Sequence, residues 1–510
     1  MKPTLRILGI AIILAAITFS CNNSKQDKEV TQNELPNIIL LMGDDHGWDE
    51  VGYNGHPFVK TPVLDEMASS GLRFDRFYSG HPSCSPTRGS FMTGRHPNRY
   101  GTFSPGWSIR PEEITIAHLG KKAGYATAHF GKWHLGPVKK DSPTNPGEMG
   151  FDEYVSHDNF FELNPVMSRN GEEPEMIEGE SSEIVIDEAI KFIQKNKNQP
   201  FLVVVWFGSP HEPYQGLTED LALYDNLPDS LNNSNVSLTS NKTGTKTTRP
   251  LGDVLRERYA EITAMDRAIG KLRTYLDENN IRDNTMLWYC GDNGVPSSAG
   301  RTGMTIRAQK GSLYEGGVLV PGVLEWPAKI KKPVATKAIS VTSDFLPTLA
   351  ELSSQQIPDI PIDGTSLVPV INNPENGREQ ALCFWKFDTK NVFGDDVQNY
   401  ISHELQVGTT PLAKKMGDIF TRNFRNYVYK NISESDFVGE RTIMSGNFKL
   451  MVDSQSPNES GYELYDIEKD RAETQNIADK YPEKVKEMSE KLREWQESVL
   501  NSLTGADYKN

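Results

Sequence analysis

Cysteine is scarce: there are four in 510 residues, at 21, 84, 290 and 383. That argues against a disulfide-stapled scaffold and leaves the fold to its hydrophobic core. Cys290 and Cys383 lie in apolar stretches, Leu-Trp-Tyr-Cys290 and Ala-Leu-Cys383-Phe-Trp. They read as buried free thiols, with one bridge between them left open. Positive charge is also short. Lys and Arg total 54 against 69 Asp and Glu, a formal charge of -15, whereas a nucleic-acid binder would show a basic domain. The deficit does not exclude a small anionic ligand, because a local group of Lys and Arg binds one inside an acidic protein. The long apolar run from Ile7 to Phe19 is too short to span a membrane stably as a mature helix. No internal repeat is visible. The length suits a large α/β domain plus a smaller one.

Lys2 and Arg6 precede the apolar run, so residues 1–20 read as an export signal. The run ends Ile-Thr-Phe-Ser-Cys21, and a Cys directly after a small residue resembles a lipoprotein cleavage site, with Thr18 standing where Leu is usual. The expectation is a lipidated Cys21, a polar tether over 21–35, and export to the periplasm or cell surface, with the membrane met only through that anchor. Simple secretion is the alternative.

Residues 37–42, 201–207 and 285–290 are continuous apolar runs, the composition of strands buried on both faces of a parallel sheet. Residues 124–130, small and apolar, read as a further strand. Polar residues follow each run, at the carboxyl end where open α/β sheets place their ligands. After the first come Asp44 and Asp45, adjacent carboxylates that repel unless a cation sits between them; a turn or helix cap is the plain alternative. His46 and Trp48 read as wall residues. After 124–130 comes Gly-Lys132-Trp-His134-Leu-Gly, and if extended it turns Lys132 and His134 the same way. After 201–207 comes Ser-Pro-His211-Glu-Pro. After 285–290 comes Gly-Asp292-Asn293-Gly, which offers two oxygen ligands or forms a turn. Helices are expected over 61–71, 110–123, 182–196, 256–276 and 343–352. A final helix has Val485, Met488, Leu492, Trp495 and Val499 on one face. Residues 73–78 read as one short strand, and 442–451 and 462–466 as antiparallel strands around turns. Residues 229–250, rich in Asn, Ser and Thr with Lys242, Lys246 and Arg249, read as a flexible solvated loop. A lid over a polyanion is the alternative there.

The densest chemistry lies in His81-Pro-Ser-Cys-Ser-Pro-Thr-Arg-Gly-Ser-Phe-Met-Thr-Gly-Arg95. Pro86 suits the first turn of a helix, and Gly94 its stop. Cys84 therefore lies at a helix mouth, where free N–H groups favour an anion. Arg88 follows one turn on, on the same side.

Cys84-x-Pro-Thr-Arg88, followed by Met92-Thr-Gly-Arg95, resembles the signature of the type I, formylglycine-dependent sulfatases of the alkaline-phosphatase superfamily. Gly-Lys132-Trp-His134-Leu-Gly is similar to the family's second signature. Asp44-Asp45, Pro-His211-x-Pro, Asp292-Asn293-Gly and Lys310-Gly-Ser-Leu-Tyr-Glu-Gly-Gly317 resemble four further elements, all in family order. Asp363-Gly-Thr-Ser-Leu367 and the stretch from Glu463 are common in its later part. The resemblance spans roughly residues 36 to 480. It implies an α/β fold: a large central, mostly parallel sheet flanked by helices over 36–370, with a smaller C-terminal α+β domain over 371–510. It implies that a maturation enzyme oxidises Cys84 to formylglycine (3-oxoalanine). It implies calcium, with magnesium the alternative, held by Asp44, Asp45, residue 84, Asp292 and Asn293. Arg88, Lys132 and Lys310 would hold sulfate. His134 would act as base, and His211 would donate a proton to the leaving oxygen or bind sulfate. The expected activity is sulfuric ester hydrolysis on a sulfated oligo- or polysaccharide, resembling N-acetylgalactosamine and galactose sulfatases, in degradation of algal polysaccharide or glycosaminoglycan. His157, Asp158, Asn159, Trp107 and Arg110 are candidate sugar contacts. Two alternatives remain: a phosphonate monoester or phosphodiester hydrolase of the same superfamily, and a non-catalytic glycan-binding lipoprotein.

Overall fold

Five strands lie side by side and parallel, in the order Thr285–Gly291, Asn37–Gly43, Phe201–Trp206, Ala126–Lys132 and Glu153–His157. They are seen in a computed structural model that describes residues 35–508 except 241, 301–305, 390–400, 417–420, 422–431 and 453–460. The export signal, the tether and Cys21 lie outside the described residues. Five shorter strands extend the sheet to ten. Gly322–Glu325 and Leu72–Phe74 add antiparallel on one side, and Val166–Arg169 on the other. The segment read as one strand over 73–78 is two, Leu72–Phe74 and Phe77–Tyr78, in different sheets.

Both faces of the sheet are covered, which is why its strands read as unbroken apolar runs rather than alternating ones. Ile39, Leu41, Val203 and Val205 share a core with Ile186, Ile193, Ile269 and Leu272 of the helices Ser181–Asn196 and Leu251–Glu278. The alternate residues Trp206 and Trp288 meet Phe91 and Phe345 on the opposite face. Each aliphatic side chain so buried contributes about 1.5–3 kcal/mol.

A second sheet orders Leu382–Trp385, Arg441–Ser445, Phe448–Val452 and Tyr462–Asp466, all antiparallel. Its period-two pattern separates two cores. Cys383, Ile443, Leu450 and Leu464 pack on Val485, Met488 and Leu492 of the terminal helix Pro482–Leu503. Leu382, Phe384, Met444 and Met451 pack on Tyr78, Leu313, Val318 and Val341 of the larger domain. A buried ion cluster crosses the same seam: Lys449 Nζ lies 2.9 Å from Glu315 Oε1 and 2.8 Å from Glu473 Oε1. Cys290 and Cys383 are free and buried, so no bridge joins them.

Two further sequence expectations need correction. The helix expected over 110–123 is only Ile116–Lys122. Thr115 caps it reciprocally with His118, the hydroxyl accepting the His118 N–H and the imidazole accepting the Thr115 N–H. Ile114 is thereby left outside and exposed. Residues 235–250 are no loop but a hairpin, Asn235–Thr239 paired antiparallel with Lys246–Pro250. Among its described residues only Leu238 is buried, against Tyr214 and Val254, and one buried residue leaves no alternation to read.

Candidate active site

The parallel strands end at one edge of the sheet and deliver their next residues to one point. Asp44 follows Gly43, and its N–H donates to Ser209 O at 3.0 Å. The Asp45 N–H donates to Asp292 Oδ1 at 2.8 Å, and the Asp292 N–H to Gly43 O at 3.0 Å. Asp45 has φ 61°, a left-handed conformation that Asp tolerates better than most residues.

The helix Cys84–Thr93 points its first turn at this junction and stops at Gly94, φ 70°, as the sequence predicts. Cys84 Sγ lies 3.5 Å from Asp44 Oδ1, 3.6 Å from Asp45 Oδ1 and 3.4 Å from Lys310 Nζ. Lys132 Nζ donates to Asp44 Oδ2 at 2.6 Å, and Lys310 Nζ donates to Asp45 Oδ1. Arg88 Nη2 donates to Asp292 Oδ2 at 2.8 Å and lies 3.4 Å from Asp44 Oδ1, while its guanidinium sits 5.0 Å over the Trp206 ring. Asn293 Nδ2 donates to Asp45 Oδ1 at 2.8 Å. His211 stacks on Phe160, ring centroids 4.5 Å apart, with Nε2 3.6 Å from Asp45 Oδ2.

Burial decides the electrostatics. Asp44, Arg88, Lys132, Asp292 and Asn293 are all 0% exposed. Burial alone would raise the Asp44 pKa, but Lys132, His211, Arg88 and Lys310 outweigh it and hold the carboxyl well below its usual range. Asp45 is lowered too, against burial, by Lys310 and His211. Burial and then Asp44 push Asp292 up to about 7, with Arg88 opposing. Burial lowers His211 to about 4, so at neutral pH it is an uncharged imidazole. Its Nδ1 lies 2.5 Å from Glu212 O, which fixes the proton on Nδ1 and turns the Nε2 lone pair to the carboxylates. Burial and then Lys132 keep His134 neutral. Burial and the Asp292 charge push the Cys84 thiol up, so the unmodified side chain stays protonated.

A divalent cation fits this donor set. Three carboxylates meet three side-chain cations here, so an added divalent cation would leave the cluster net positive, as an anionic ester requires. Asp45 Oδ2 and Asn293 Oδ1 are buried with no hydrogen-bond partner. Ligand atoms of Asp44, Asp45, Cys84 and His211 lie within 4.8 Å of one another. Oxygen donors of this kind suit a hard ion.

His134 is not extended: its φ is 56° and its N–H donates to Asp158 O at 2.8 Å, so it does not simply repeat the direction of Lys132. Both its ring nitrogens are buried without partners. His157, Asp158 and Asn159 brace that loop. The His157 Nδ1 accepts the Asn159 N–H at 3.1 Å, and Asp158 Oδ1 accepts the Val138 N–H at 3.0 Å. Burial pushes Asp158 up to about 7. Trp107 and Arg110 are not brought to the cluster. Trp107 is buried with Phe103, Trp385, Phe387 and Val499 against the terminal helix, and Arg110 lies 3.8 Å over the Tyr508 ring.

Arg258 is a residue that the sequence reading missed. It is fully buried, pairs with Glu50 at 2.6 Å and donates to Pro210 O at 2.5 Å and Asp45 O at 2.6 Å. It thus ties the Asp45 turn to the His211 loop. The signal was an Arg on the apolar face of its helix, beside Tyr259 and Ile262, where a charge is retained only if paired.

Residues 36–354 match the sequence profile described as Sulfatase. The ulvan-active sulfatase of Formosa agariphila is 31% identical over 386 residues, covering 74% of this chain and 72% of that one. Human N-acetylgalactosamine-6-sulfatase is 29% identical over 401 residues, covering 69% of each chain. The crystal structure of Ps i-CgsB in complex with k-i-k-neocarrahexaose superposes with a TM-score of 0.70 at 23% identity, covering 93% of this chain and 97% of that one. That likeness shows the shared fold. Sulfatases generally use a formylglycine and a divalent metal, and the clustered carboxylates, Cys84 and His211 are consistent with that chemistry. The chain belongs to the sulfatase family and is a sulfuric ester hydrolase.

Proposed function

We propose that the protein removes sulfate from a sulfated saccharide, derived from algal polysaccharide or glycosaminoglycan, after conversion of Cys84 to formylglycine by a maturation enzyme. Calcium is the proposed ion, with magnesium the alternative, on Asp44, Asp45, Asp292 and Asn293. Export and a lipid anchor at Cys21 would put the enzyme where polymers from outside the cell are met. The observation that carries the reading is the burial of Cys84 among carboxylates. There the thiol is held protonated and is a poor nucleophile as cysteine. The surrounding Lys and Arg side chains suit a sulfate ester. The relatives named for ulvan and N-acetylgalactosamine 6-sulfate support a saccharide.

Formylglycine would supply a hydrated aldehyde whose hydroxyl can attack sulfur, splitting one hard displacement into two easier steps. A divalent cation would supply positive charge opposite the sulfate oxygens. The chain's own groups do the rest. Lys132, Lys310 and Arg88 aim N–H donors at the junction, and such donors gain most where negative charge develops in the transition state. His134 offers a neutral imidazole to take a proton. Protonation of the leaving oxygen falls to Lys310 or His211: the Lys310 ammonium carries its proton at neutral pH, whereas His211, its Nδ1 fixed on Glu212 O, would first have to take one at Nε2.

The test is hydrolysis by matured protein of sulfated mono- and oligosaccharides beside phosphate mono- and diesters. Sulfate release from at least one saccharide, at a kcat/KM well above that for any phosphoester, is expected. Dominant phosphoesterase activity would overturn the reading in favour of a phosphonate or phosphodiester hydrolase. Binding of the sugars without turnover would favour the glycan-binding alternative.

A further inference from the structure

Lys132 and Arg88 reach the Cys84 junction from regular elements, the end of the strand Ala126–Lys132 and the helix Cys84–Thr93. Lys310 does not. It belongs to neither helix nor strand and stands just ahead of the short helix Glu315–Val318. Its side chain is 20% exposed, against 0% for Lys132. Packing therefore holds its flexible stem less firmly. Where its ammonium stands, beside Asp45 and Cys84, depends on where the backbone is put.

That backbone is tied on two sides. The Lys310 N–H donates to Val295 O at 3.0 Å, and the Gly311 N–H to Pro82 O at 2.9 Å, in the segment that leads into Cys84. The following bonds out of the loop go to carboxylates of the C-terminal domain. The Leu313 N–H donates to Glu440 Oε1 at 3.0 Å, and the Glu315 N–H to Glu473 Oε2 at 2.7 Å. The Ser312 hydroxyl lies 3.4 Å from the same Glu440 oxygen. Glu440 is itself fixed. It immediately precedes the strand Arg441–Ser445, and its carbonyl accepts the Lys386 N–H at 2.9 Å. Its Oε2 accepts from the Lys386 ammonium at 2.8 Å. One carboxylate oxygen thus serves the sheet and the other the loop. A carboxylate that accepts a backbone N–H makes a stronger bond than a neutral acceptor does.

We infer that Glu440 is a positioning residue: from the edge of the C-terminal sheet it holds the backbone at Ser312 and Leu313, and so sets where the Lys310 ammonium stands beside Cys84. The inference rests on the site reading above, in which Lys310 meets the ester. It gives the C-terminal domain a part in turnover that acts through Lys310.

The experiment uses full-length matured protein supplied with calcium and magnesium. The probe is whichever of the sulfated mono- and oligosaccharides above wild type hydrolyses with the highest kcat/KM. Glu440→Ala should lower kcat/KM about 10- to 100-fold, as for a catalytic group displaced by about 1 Å. Glu440→Gln, which keeps an oxygen for the Leu313 N–H, should restore most of that loss. The decisive comparison is Lys310→Ala with and without Glu440→Ala. With Lys310 gone, Glu440 has no ammonium to position, so the two should agree in kcat/KM within about threefold. A merely structural defect would multiply instead, and the double variant would fall by the full Glu440→Ala factor. That result, or wild-type kcat/KM in Glu440→Ala, would overturn the inference. If Glu440→Ala does not fold, Glu440→Asp takes its place in the same comparison, since it keeps a charge for Lys386 and draws the carboxylate back from Leu313. Lys310→Ala within about tenfold of wild type would overturn the role given to Lys310, and the inference with it. Failure of wild type bearing formylglycine to release sulfate from any of the saccharides would overturn the saccharide reading itself, and the inference with it.

Discussion

Lys132 shows how much one side chain carries at this site. It ends a central strand, is fully buried, and its ammonium holds Asp44 ionised beside Cys84. Lys132→Ala removes a donor aimed at the sulfate and leaves a buried carboxylate short of its partner. The expected outcome is a fall of about 100- to 1,000-fold in kcat/KM for a sulfate ester, the usual cost of losing a preorganised donor. Steady-state kinetics on folded, matured protein check this, and retention of activity within tenfold would contradict it. Lys132, His211, Asp44, Asp45, Asp292 and Asn293 were legible because each follows an apolar run that could only be a buried strand. His134 was legible as a residue but not in geometry, since nothing in Gly-Lys-Trp-His announces a left-handed φ. Trp107 was legible as an aromatic but not in its packing, because an aromatic that packs a domain seam and one that faces a sugar look the same in a string of letters.

Among the elements, the helix Leu251–Glu278 does more than cover the sheet. Besides Arg258, it carries Asp266, whose carboxylate accepts the N–H groups of Val63 and Leu64 at 2.9 and 2.8 Å and so caps the helix Pro62–Ser70. Burial outweighs those two bonds and raises Asp266 to about 7, against about 3.9 in the unfolded chain. Between those values the folded state keeps a proton that the unfolded state has released. This group's contribution to stability is therefore full below pH 4 and lost as pH rises to 7. Asp266→Asn stays uncharged throughout. From pH 4 to pH 8, denaturant unfolding should shift in favour of the variant, relative to wild type, by up to about 4 kcal/mol. Parallel profiles for the two proteins would contradict the assignment. The helix itself was legible from its spacing of Tyr259, Ile262, Ile269 and Leu272. The hairpin over 235–250 was not, because its strands are polar and held by pairing rather than by a buried face.

At the scale of the whole molecule, the parallel sheet sets the site and the C-terminal sheet supports it. The loop carrying Lys310 leads into Glu315, which meets Lys449 of the second sheet in a buried ion cluster with Glu473. The fold class and the order of the strand-end motifs were legible because apolar runs and their polar ends are local features. The buried pairing of Arg258 with Glu50 was not, since its two residues lie 208 positions apart, a separation that no spacing rule spans. The convergence on Cys84 remains the core of the functional reading. The most direct measurement is sulfate release from a sulfated saccharide by matured protein, with Cys84→Ala assayed beside it. The expected result is turnover by the first and a loss of at least about 1,000-fold in the second, as for removal of a covalent nucleophile. Comparable sulfate release by Cys84→Ala would contradict it.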